Sequence, residues 1–94
     1  MFSEINLGEL FYRVWKDSDR ERANEVLILV SQLPIEVVPV DKEFILAAAR
    51  WKAGYRISYA DSFAVELAHQ YRAPVVTGDP EFEAVKGIKI RRLR

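Results

Sequence analysis

The sequence predicts an α/β fold with a short, mainly parallel sheet flanked by helices. Three observations lead there. Apolar residues recur at helical spacing in four separate stretches, short β-branched segments stand between them, and the apolar segments follow one another in a helix-and-strand order that favours parallel pairing. With 94 residues, half of them hydrophobic and 30% charged, the chain suits one compact domain over residues 1–94 and not a disordered tail. The absence of cysteine excludes a disulfide scaffold and thiolate metal sites. The longest aliphatic run, residues 26–30, is far short of a membrane span, and Glu4 and Glu9 stand where a signal peptide needs positive charge. A soluble, cytoplasmic protein is expected.

The elements follow in order. Leu7, Leu10, Phe11, Val14 and Trp15 form one stripe of an amphipathic helix over residues 4–16. Ser18 to Glu21 has the spacing of a capping box, opening a second helix through Ala23, Val26, Leu27, Val30 and Leu33 that Pro34 stops. Residues 35–40 are β-branched and read as a strand, with Pro39 near an edge or an end. Asp41 caps a third helix through Phe44, Ile45, Ala48, Ala49 and Trp51, with Gly54 at its exit. Ser58 caps a fourth, which carries Ala60, Phe63, Ala64, Leu67, Ala68 and Tyr71 inward. Residues 74–77 form a second strand, Asp79-Pro80 starts a short helical turn, and residues 88–93 alternate as a third strand with one wet face.

Chemistry has few places to sit. The chain has no glycine-rich phosphate loop, no His/Cys zinc spacing and no nucleophile elbow. His69, the only histidine, lies eight residues beyond Asp61 on the same helix, too far to share one ion easily, and reads as a surface residue. Three carboxylates stand out, each with a structural reading beside the functional one. Asp79 falls just beyond the carboxyl end of a strand, where open α/β sheets bind ligands, yet Asp before Pro is also an ordinary helix start. Asp61 is three residues after Ser58 and would complete a capping box. Glu9 is four residues before Arg13, the spacing of a surface ion pair.

The wording of three segments adds to this. Ser3-Glu-Ile-Asn-Leu-Gly-Glu9-Leu, Ile57-Ser-Tyr-Ala-Asp61-Ser-Phe-Ala and Val75-Val-Thr-Gly-Asp79-Pro-Glu-Phe82 occur in that order and together resemble the later acidic motifs of the PIN-domain family, in its VapC-like toxin branch. The resemblance implies a PIN-like three-layer fold and a metal-dependent endoribonuclease paired with a small antitoxin. It implies that Glu9, Asp61 and Asp79 are catalytic, metal-holding acids for Mg2+ or Mn2+, with Asn6 and Thr77 as supporting polar groups. The family's opening strand, the aspartate it carries and the helices after it have no counterpart here. The chain therefore resembles an N-terminally truncated domain, roughly the C-terminal two-thirds, and its activity would be impaired by the loss. A non-catalytic protein- or RNA-binding module derived from the same fold is the alternative.

The net charge of zero hides an asymmetry, since residues 1–47 hold nine acids and five bases while residues 48–94 hold the reverse. Lys89, Arg91 and Arg94 in the basic C-terminal stretch are candidate RNA contacts, or edge-strand charges that discourage aggregation. The stripe ending in Phe11, Val14 and Trp15 lacks the packing partners that the absent helices supply, so a homodimer or higher oligomer is expected.

Overall fold

The computed structural model describes residues 2–77 and 80–92. They form two compact units, residues 1–39 and 40–94.

The first unit contains β1 (Phe2–Ser3), α1 (Glu4–Asp17), α2 (Arg20–Gln32) and β2 (Val37–Val38). β1 and β2 pair in parallel, Phe2 opposite Val37 and Ser3 opposite Val38, and the Phe2 amide donates to the Glu36 carbonyl at 3.0 Å. The two helices thus form the crossover that a parallel pair requires. Strand β1 was not expected from the sequence: two residues directly ahead of a helix carry no period of their own, and their pairing partner lies far along the chain. Ser3 ends that strand and caps α1, its hydroxyl accepting the Asn6 amide at 3.2 Å. The expected helix at 4–16 is present, but none of its residues is fully buried, and Trp15 is exposed with Arg20 resting over its ring at 5.8 Å.

The start of α2 differs by one residue from expectation. Ser18 does not cap it; its amide donates back to Val14, closing α1 at 2.9 Å. Asp19 is the cap, its carboxylate accepting the Arg22 amide at 2.7 Å. A carboxylate and a hydroxyl in adjacent positions are equivalent cap signals, and the direction in which the chain leaves α1 decides between them. Along α2 only Ala23 is buried. Leu33, expected on the inner stripe, is 51% exposed because it lies beyond the last helical turn.

The second unit contains α3 (Lys42–Gly54), α4 (Tyr59–Tyr71), β3 (Val75–Thr77), a 3₁₀ turn (Pro80–Ala84) and β4 (Ile90–Arg92). Asp41 and Ser58 cap α3 and α4 as expected, accepting the Phe44 amide at 2.8 Å and the Asp61 amide at 3.0 Å. The α3–α4 contact is aromatic: Phe63, fully buried, stacks on Phe44 at 5.9 Å and takes the Tyr59 ring edge-on at 5.0 Å. Elsewhere on α4, Val65 and Ala68 join Ile57, Val75, Phe82 and Val85 in a second apolar cluster. Helix α4 is therefore buried on much of its circumference, as a central helix must be when it packs on two neighbours. Tyr71, assigned inward by its spacing, is exposed because it closes the last turn. Arg72 ends the helix in the left-handed region, φ 52°, where its amide reaches the Ala68 and His69 carbonyls.

β3 and β4 pair in parallel, Val75 opposite Ile90 and Thr77 opposite Arg92, joined through the 3₁₀ turn. Both strand pairs of the molecule's described residues are thus parallel, which agrees with the predicted sheet. The expected alternation also holds at β4: Ile88 and Ile90 pack on the apolar cluster while Lys89 and Arg91 are exposed. Among the described residues no helix is long and apolar enough to cross a membrane.

Candidate functional site

Two of the expected site residues stand on α1. Asn6 lies in its first turn and is held by Ser3 in two ways: the Ser3 hydroxyl donates to Asn6 Oδ1 at 2.7 Å and accepts the Asn6 amide. Fully buried Ser3 therefore fixes both the start of the helix and the orientation of the Asn6 carboxamide. Glu9 follows one turn later, half-buried, with the Arg13 guanidinium at 3.5 Å. The i,i+4 pair anticipated from spacing is thus present, and it leaves Glu9 as the more enclosed partner, at 21% side-chain exposure against 65% for Arg13. So exposed a pair contributes little to stability, so it does not by itself explain a glutamate there.

Two further residues belong to the second unit. Thr77 is the last residue of β3 and is half-buried. Asp61 lies in the first turn of α4, also half-buried, where the helix dipole favours negative charge. Its role in the cap is played by its backbone amide alone, which donates to Ser58 Oγ. The reciprocal half of a capping box is not formed: among the described residues the Asp61 carboxylate takes part in no hydrogen bond or ion pair. The structural reading therefore accounts for the Asp61 amide through the cap and for its charge through the helix dipole, with no side-chain hydrogen bond among the described residues.

Asp79 and Arg94 lie outside the described residues. Within those described, no three His, Cys, Asp or Glu side chains gather into a metal-binding group. Lys89 and Arg91 present two exposed cations on one side of β4. His69 is exposed, as the sequence suggested, and stands edge-on to Trp51 at 5.6 Å.

The sequence reading missed one carboxylate. Glu66 is 6% exposed in the middle of α4, accepting from Trp51 Nε1 at 2.9 Å and from Gln70 Nε2 at 2.7 Å. A signal was present in the sequence: Glu66 interrupts the otherwise apolar run from Phe63 to Ala68, and a single charge within a fully apolar stretch of helix calls for a buried partner.

Comparison with known proteins decides the family. The model of the PIN domain matches residues 1–88. The chain belongs to the PIN domain family. Its fold is shared with two solved toxin–antitoxin assemblies. One is a DNA-bound VapBC from Salmonella typhimurium, with TM-score 0.75 and 29% identity over 96% of this chain and 72% of that one. The other is VapBC2 from Rickettsia felis bound to a fragment of promoter DNA, with TM-score 0.75 and 22% identity over 98% and 73%; at that identity the likeness concerns fold alone. No curated protein matches the chain. The PIN match spans the helix with Glu9, the helix with Asp61 and the strand with Thr77, and the resemblance first visible in three short segments extends to the backbone fold.

Proposed function

We propose that this PIN domain is a metal-dependent endoribonuclease of the VapC toxin type, cleaving RNA phosphodiesters with Mg2+ or Mn2+ held by Glu9, Asp61 and Asp79. The observation that carries this reading is the Asp61 carboxylate, half-buried at a helix start with no hydrogen bond or ion pair among the described residues. A half-buried carboxylate that no donor among the described residues engages has its oxygens available to a cation. The donor set is also right in kind: three carboxylates, an amide oxygen at Asn6 and a hydroxyl at Thr77 are all hard oxygen ligands, the kind that suits Mg2+ and Mn2+. A divalent ion bound there would supply an activated water and neutralise charge growing on the phosphate. The chain's own residues do the rest. Ser3 locks the Asn6 side chain, Arg13 steadies Glu9, and the Ser58 cap fixes the first turn of α4 from which Asp61 projects.

Lys89, Arg91 and Arg94 are suited by charge to RNA phosphate contacts. A small antitoxin is the expected protein partner, as in the VapBC assemblies. The exposed Ile28, Leu29 and Leu33 of the first unit favour a homodimer or higher oligomer that covers them. Cleavage of a fluorogenic single-stranded RNA tests the reading. Activity should require Mg2+ or Mn2+, vanish in EDTA and be lost in Asp79→Asn. Robust cleavage in EDTA refutes the metal mechanism, and metal-replete protein without cleavage leaves the binding module as the correct reading.

A further inference from the structure

The second unit holds a group of side chains that the metal chemistry does not use. Between α3 and α4 lies a groove of about 320 Å³ lined by Ala47, Arg50, Trp51, Glu66 and His69. Its floor is the Glu66 carboxylate, 6% exposed and bonded only to neutral donors: Trp51 Nε1 on one oxygen and Gln70 Nε2 on the other. No cation pairs with it among the described residues. An ionised carboxylate has about four acceptor positions, so each oxygen keeps room for one more donor on the open side. One wall is the Trp51 indole, its orientation set by Tyr55 stacked at 6.0 Å and His69 edge-on at 5.6 Å. At the rim stands Arg50, exposed and in no hydrogen bond or ion pair among the described residues.

We propose that this groove is a nucleotide subsite that selects guanine in single-stranded RNA. The proposal rests on the ribonuclease reading for its substrate class and adds to it a base preference. Guanine presents two adjacent donors, N1–H and the N2 amino group, on its Watson–Crick edge, and two parallel donors match a carboxylate in the way a guanidinium does. Adenine offers a donor beside an acceptor, so its ring nitrogen would face Glu66 lone pair to lone pair. The indole provides an apolar, sequence-tolerant wall for the base, and Ala47, one turn before it on α3, continues that wall with little bulk. Arg50 and His69, which also line the groove, supply N–H donors for the flanking phosphate. The volume lies at the small end of ligand sites and suits one nucleoside.

The test is a titration of the full chain with 5′-GMP and, separately, 5′-AMP in metal-free buffer, following the indole N–H resonance of Trp51. GMP should bind at least tenfold more tightly than AMP and shift that resonance. Glu66→Gln, which keeps an acceptor for Trp51 and sets a donor beside it, should remove the guanine preference and favour adenine, whose edge offers the matching donor and acceptor. Arg50→Ala, at an exposed position, should weaken both by a similar factor of several-fold. Equal affinity of the unaltered chain for both nucleotides overturns the proposal, as does a Trp51 signal that GMP leaves unmoved. Displacement of GMP by free arginine at the same concentration also overturns it, because the groove would then be a seat for a protein partner's guanidinium. The two readings fail separately. Asp61→Asn should abolish cleavage and leave GMP binding intact, and RNA cleavage without any preference for guanosine removes the subsite and not the nuclease.

Discussion

The two compact units were written with the same pattern and are packed to different degrees. Each has two helices with an apolar stripe and a pair of parallel strands. In the second unit the stripes meet: Phe44 and Phe63 stack, and Val65, Val75, Phe82 and Val85 close a second cluster. In the first unit α1 buries no residue fully and α2 buries only Ala23, while Tyr12, Ile28 and Leu29 remain about half exposed. The difference teaches that a helical stripe specifies a face that prefers to be covered, and not what covers it. A second helix of the same chain covers it in one case; in the other, α1 and α2 cover each other only in part.

That contrast can be broken or sharpened by substitution. The largest effect is expected at Phe63, fully buried between two other rings. Phe63→Ala should lower unfolding free energy by about 3–5 kcal/mol, against less than half of that for half-buried Phe11→Ala. Urea denaturation measures both, and equal losses would show that the first unit is packed as tightly as the second. Next comes Asp61→Asn. Because its carboxylate has no structural partner among the described residues, stability should change by only a few tenths of a kcal/mol. Metal-dependent cleavage should fall by on the order of 100-fold or more, as expected for a lost metal ligand. A loss of stability matching that at a cap would instead make Asp61 structural.

The caps themselves come third. Ser58→Ala and Asp19→Ala should each cost about 1 kcal/mol, whereas Ser18→Ala should cost almost nothing, although Ser18 fits the capping-box pattern as well as either. Thermal melts of the three variants separate them. The smallest change is a gain. Arg72 closes α4 at φ 52°, a conformation that suits glycine, so Arg72→Gly should stabilise the second unit by about 0.5–1 kcal/mol. A lower melting temperature would show that the arginine side chain has a packing role.

Helix positions were legible because they rest on interactions three and four residues apart. Asp41 and Ser58 mark the starts of α3 and α4 correctly, and the Pro34 and Gly54 signals mark the ends of α2 and α3 closely. The alternation around β4 told which of Ile88, Lys89, Ile90 and Arg91 would be wet. The family was legible through the resemblance of three short segments, and the PIN family match over residues 1–88 agrees with it. The state of each carboxylate was not. Glu9 meets Arg13 as spacing suggested, while the Asp61 carboxylate takes no hydrogen bond or ion pair among the described residues although spacing supplied Ser58.

The order and type of the helices, the caps of α2 to α4 to within a residue and the family resemblance all came from the sequence alone. Each of these follows from short-range backbone geometry or from a local string of residues. Only the tertiary structure decided that Phe2–Ser3 is a strand, since a two-residue strand exists by virtue of its partner, Val37–Val38. It alone placed Glu66 inside. A glutamate on a helix normally turns to water, and it stays buried here because the Trp51 indole, fifteen residues away in the chain and on another helix, comes within 2.9 Å to satisfy it.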